Sequence, residues 1–116
     1  METKQVVDFS TLKEFTGNDE NLMKIHINTF IQFAPAQLQK LRQKLNEQNW
    51  IDLGNEAHKL KPKCTYMGIK EAESLFKTIE LNAKEQKDLE KLPELVAIAE
   101  NTINQAIAEL KAFVNS

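Results

Sequence analysis

Between Trp50 and Gly68 the residues Trp50, Leu53, Ala57, Leu60, Cys64 and Met67 recur at steps of three and four. That is the spacing of a helix burying one stripe against its neighbours. The same period marks three other long segments. Residues 19–47 carry Leu22, Ile25, Phe30, Phe33, Leu38, Leu41 and Leu45 as the expected inward set. Residues 69–84 carry Ala72, Leu75, Phe76, Ile79 and Ala83, and the last segment, from Pro93 to about Phe113, carries Leu95, Val96, Ala99, Ile103, Ala106, Ile107 and Leu110. A short leading helix with Leu12 and Phe15 is expected before them, capped by Ser10 or Asp8 and stopped at Gly17. Asn18 or Asp19 caps the second helix, in which Pro35 removes a donor and crowds the carbonyl of Ile31, so a bend is expected there. Asn46 to Asn49 is a polar turn, Gly68 closes the third helix, and Glu85 to Lys91 reads as a solvated loop. Pro93 suits the first turn of the final helix, where a missing N–H is harmless. No strand-like alternation occurs. The pattern predicts an all-α fold, an antiparallel up-down four-helix bundle with a short additional N-terminal helix. It forms one domain over residues 1–116, with 1–7 loosely ordered.

One segment is ambiguous. The first half of the second helix is apolar nearly all round, because Ile27 and Ile31 fall off its main stripe. Either this helix is central and touches neighbours on two sides, or part of the second stripe is an exposed docking patch.

Composition narrows the class. A chain of 116 residues, 41% hydrophobic and 28% charged, supports one modest core. No apolar run approaches the ~20 residues of a membrane span, and Met1 to Gln5 lacks the basic start and apolar stretch of a signal peptide. Cys64 is the single cysteine and lies in an inward stripe, so it reads as inert packing in a reducing, cytoplasmic setting. A net charge of −2 argues against binding nucleic acid or acidic lipid. Lys59, Lys61, Lys63 and Lys70 lack the interleaved aromatics of a nucleic-acid face.

With three glycines in all, the chain has no glycine-rich phosphate loop, which sets ATP chemistry aside. Neither histidine sits in a Glu-x-x-His pair, and one cysteine with two histidines gives no zinc spacing. His26, beside Ile25, is expected to be partly buried and structural. His58 differs. On a helix it shares a column with Ile51, Gly54, Lys61 and Thr65, outside the buried seam. Alone it would read as a solvated surface histidine, but three neighbours weigh against that. Gly54 costs about 1 kcal/mol relative to Ala inside a helix, so something approaches closely there. Lys61 would repel an imidazolium but stabilise a phosphoryl group of about −2 charge. Pro62 crowds the carbonyl of His58, and such strain is tolerated more often at working sites.

Ala57-His58-Lys59-Leu60-Lys61, with Gly68 ten residues after the histidine, resembles the signature of histidine-containing phosphotransfer (HPt) domains. Asp8-Phe9-Ser10-Thr11-Leu12, the Gly17-Asn18-Asp19 break, Pro35 and Trp50 resemble one bacterial branch of that family, so the likeness covers residues 8–113. Residue 62 departs from the family, where glycine is common; here it is Pro62. The resemblance implies a phosphorelay intermediate without kinase activity of its own. His58 would accept a phosphoryl group from an aspartyl phosphate and pass it to another receiver. Lys61 would hold the phosphoryl charge, and Gly68 would let the next helix pack closely. Neutral imidazole, with an ordinary pKa of about 6.5, supplies the attacking nitrogen. The implied partners are response-regulator receiver domains or a hybrid histidine kinase, with Mg²⁺ on the receiver and no cofactor on this chain. Ile51, Gly54, Asn55, Lys59 and Lys61, with Ile27 or Ile31, would form the docking rim. A monomer is the simplest expectation. The competing reading is a non-catalytic helical module that docks a signalling partner.

Overall fold

The computed structural model describes residues 5–115. Its helices are α1 (Phe9–Phe15), α2 (Glu20–Asn46), α3 (Trp50–Met67), α4 (Lys70–Glu85) and α5 (Leu92–Val114), with a 3₁₀ turn at Leu89–Lys91. α2, α3, α4 and α5 close a ring, each packed on the next and α5 back on α2, and α1 lies against α3 and α2. The fold is the expected all-α bundle, with no strand among the described residues. Among the described residues, no helix is long and apolar enough to cross a membrane.

Local chemistry sets the boundaries. Asp8, rather than Ser10, caps α1, because its carboxylate reaches the Ser10 N–H at 3.1 Å. Asp19 caps α2 through the Leu22 N–H, and Asn49 caps α3 through the Asp52 N–H. α2 stays helical through Pro35. Gly68 ends α3 in the left-handed region, φ 70°, where a side chain is disfavoured. The loop expected before α5 is partly ordered, since Leu89 packs on the core and draws its turn in.

The seam read from α3 is buried at Leu53, Ala57, Leu60, Cys64 and Met67, with Trp50 packed at its edge. α4 and α5 bury their expected faces, with Leu75, Leu95 and Ile107 at the margin. The first half of α2 is rotated from the expectation. Met23, Ile27, Phe30 and Ala34 are inside, whereas Leu22 and Ile25 are exposed and Phe33 is half-buried. At 100° per residue, the Leu38, Leu41 and Leu45 stripe extends back through Ala34, Phe30, Ile27 and Met23, and places Ile25 about half a turn away. Of the segment expected to be loose, residues 1–4 lie outside the described residues. Val6 and Val7 are docked: both donate backbone N–H bonds to Glu109 of α5, and Val7 is buried.

Candidate functional site

α3 and α4 form a hairpin about Gly68, and this brings residues on either side of the turn together across the seam. His58 precedes Gly68 by ten positions and Glu80 follows it by twelve. His58 Nδ1 lies 2.9 Å from Glu80 Oε2. Lys61 Nζ donates to Glu80 Oε1 at 3.2 Å, and Lys84 Nζ donates to Oε2 at 3.1 Å. The Glu80 side chain is only 15% exposed, whereas His58 is 61% exposed. Burial pushes the Glu80 carboxyl up, but the bonds from Lys84, Lys61 and His58 outweigh it and hold the pKa below its ordinary 4.5. Glu80 is therefore an ionised acceptor at neutral pH.

A carboxylate only accepts, so in the neutral imidazole the ring proton sits on Nδ1, and Nε2 carries the lone pair. The arrangement presents an oriented imidazole base on a solvent-facing side chain, flanked by two ammonium groups. That combination suits nucleophilic attack by Nε2 on an electrophile whose product carries negative charge.

Gly54 is buried, and the close approach it permits is made by α4 itself. A Cβ there would meet Lys84 Cγ at 2.8 Å. Gly54 is thus a groove floor rather than part of an exposed rim. Ile27 is fully buried and lies outside any surface, for the reason of helix phase given above; Ile31 is half-buried against the core. Ile51, Asn55 and Lys59 are exposed. With His58 and Pro62, Ile51, Asn55 and Tyr66 make one outward ridge of α3, at steps of four, three, four and four. Phe15 extends it from α1, its ring 4.5 Å from that of Tyr66. On the other flank, Lys59 pairs with the buried Glu56, which also accepts from Gln37 of α2. His26 is half-buried, edge-on to Phe15. Cys64 is fully buried, and burial pushes its thiol up to about 12, so it is inert.

The reading of the sequence missed Glu80 and Lys84. Once Gly68 is taken as the turn of an antiparallel hairpin, residues near 79–80 fall opposite His58. A lone glutamate in a charged helix gives no stronger signal.

Residues 27–113 match the family model described as the Hpt domain. No curated protein matches the sequence. Among solved structures the chain is similar to histidine-containing phosphotransfer protein B (HptB) from Pseudomonas aeruginosa PAO1, at a TM-score of 0.88 and 19% identity, with 97% of each chain covered. At that identity the likeness concerns the fold. The family match spans most of the chain and includes His58, Lys61, Gly68 and Glu80: this protein belongs to the Hpt domain family.

Proposed function

We propose that the protein is a phosphocarrier that takes a phosphoryl group onto His58 Nε2 from an aspartyl phosphate and passes it to a second aspartate. The observation that carries this reading is the Nδ1 contact with Glu80, which fixes the tautomer and leaves Nε2 as the nucleophile. Nε2 attacks phosphorus, the Nε2–P bond forms, and the acyl-phosphate P–O bond breaks with its electron pair leaving on the carboxylate. Nδ1 keeps its proton throughout, so the phosphorylated ring gains a positive charge that Glu80 offsets. Lys61, 3.2 Å from Glu80, is placed to turn towards the phosphoryl oxygens. Little covalent chemistry is asked of this chain, since phosphoryl transfer is mostly positioning and charge stabilisation.

Receiver domains, with Mg²⁺ held on their side, are the partners this chemistry fits. The α3 ridge is their docking surface, with Ile51 at one end, Tyr66 and Phe15 at the other, and His58 between. No autonomous kinase activity is expected, and a cytoplasmic location fits the reading.

The test is transfer from a Mg²⁺-loaded, ³²P-labelled receiver domain to the wild type and to His58→Gln, with circular dichroism confirming the fold. Acid-labile, base-stable label on the wild type alone is the expected outcome. Label on neither, across several receivers, would leave a module that only docks partners.

A further inference from the structure

Lys84 occupies a place that the chain has cleared for it. Gly54 lies one turn before His58, where an added Cβ would sit 2.8 Å from Lys84 Cγ and 3.3 Å from Cε. The lysine stem therefore runs through the notch left by the missing side chain. Its ammonium ends on Glu80 Oε2, at 3.1 Å, the same oxygen that His58 Nδ1 meets at 2.9 Å. Two lysines thus reach one carboxylate from opposite elements, Lys61 from α3 and Lys84 from α4.

We infer that Lys84 is a second phosphoryl-holding cation beside Lys61, delivered to the imidazole by the Gly54 notch; the inference rests on the proposed acceptor role of His58. Counting Glu80 as −1 and the two lysines as +1 each, the resting cluster carries +1 around a neutral ring. A phosphoryl group adds about −2, and the ring that carries it becomes cationic. With Lys84 the phosphorylated cluster is neutral; without it the cluster is left with an uncompensated negative charge. Lys84 is half-exposed, so its ammonium is free to exchange Glu80 for phosphoryl oxygens without moving a core element. Lys61 alone cannot match this, because it brings one positive charge and is itself paired with the other carboxylate oxygen at 3.2 Å.

The test uses potassium phosphoramidate, a small donor whose P–N bond breaks to release ammonia as the Nε2–P bond forms. No docking surface is needed. Phosphohistidine level and lifetime are read by ³¹P NMR in the wild type, Lys84→Met, Lys84→Arg and Gly54→Ala, with a thermal melt of each. Lys84→Met is expected to shorten the lifetime about fivefold, the scale of one exposed charge pair, and Lys84→Arg to retain it. Gly54→Ala raises helix propensity, so its melt holds or improves while its lifetime falls, because the new methyl displaces the lysine stem. A role in folding alone would move the melt and the lifetime together. Wild-type lifetimes in Lys84→Met overturn the assignment, and wild-type lifetimes in Gly54→Ala overturn the notch's part in it. Absence of any label on the wild type would instead count against the acceptor role of His58, and both readings would fall.

Discussion

At the scale of single residues, the site is governed by a carboxylate rather than by the histidine it serves. Glu80 is pulled towards protonation by burial and away from it by Lys84, Lys61 and His58, and the donors prevail. Its folded pKa lies below 4.5, so its contribution to stability is complete above that value and is lost as pH falls through the folded pKa. Asp8, held below its ordinary 3.8 by its bonds from Ser10, loses its share only as pH falls below that value. The two are separable by comparison. In Glu80→Gln the amide oxygen still accepts from Nδ1, but the charge that gathers the lysines is gone. Melting temperatures from pH 7 to pH 3 should fall more steeply for the wild type than for this variant once pH drops below 4.5. Parallel profiles would show that the cluster adds nothing to folding. That His58 and Lys61 lie on one face was legible from the sequence because their spacing lies within one helix. Glu80 was not, because its meaning depends on the register between α3 and α4. Gly54 was read correctly as a point of close approach, but the group that approaches is Lys84 of the same chain, which no local pattern identifies.

At the scale of elements, glycine and helix phase decide most of what happens. Gly68 does more than end α3. A Cβ there would lie 2.2 Å from the Asp8 carbonyl oxygen, and its own carbonyl accepts the Asp8 N–H at 2.9 Å. The family resemblance implied that this glycine admits the next helix; the nearest atoms to an added Cβ belong to Asp8 and Thr11, at the start of α1. Gly17 offers a control, since it has φ 61° and nothing within 4 Å of an added Cβ. Gly17→Ala should cost about 1 kcal/mol, the left-handed penalty alone. Gly68→Ala carries the same penalty and must also displace the Asp8 backbone, so a loss of about 3 kcal/mol is expected by urea unfolding. Equal losses would mean that α1 shifts freely off α3. The misplaced face of α2 has an equally physical origin. The reading favoured the bulk of Leu22 and Ile25 over Met23 and Ala34. Rotation along a continuous helix, fixed by Leu38, Leu41 and Leu45, overrides side-chain size. Ile27, expected at the rim, went into the core with that rotation.

At the scale of the whole molecule, polar ties cross three seams of the bundle. Gln37 and Glu56 join α2 to α3, Glu80 joins α4 to His58 and Lys61 of α3, and Arg42 with Glu100 joins α2 to α5. Another tie fastens the beginning of the described chain to its end. Glu109 of α5 accepts from Val6 N–H at 3.0 Å and Val7 N–H at 2.8 Å, while Phe9 stacks on Phe113 with centroids 4.9 Å apart. Nothing in the pattern of Val6 and Val7 announces this, because two valines before a cap look like a frayed end until the carboxylate that receives them is in place. Hydrogen bonds to a charged acceptor are worth about 1.5–3 kcal/mol each when broken in a partly buried setting. Part of that is recovered when the freed amides meet water. Glu109→Ala should therefore lower unfolding stability by about 2 kcal/mol and speed hydrogen exchange at the Val6 and Val7 amides. Phosphoryl acceptance should persist, because the His58 cluster is built from α3 and α4 alone. Unchanged exchange at both amides would show that apolar packing of Val7 and Phe9 holds the segment without Glu109. Lost phosphoryl acceptance in a folded variant would instead mean that the N-terminal staple reaches the site through Asp8 and Gly68, the contact that couples α1 to the end of α3.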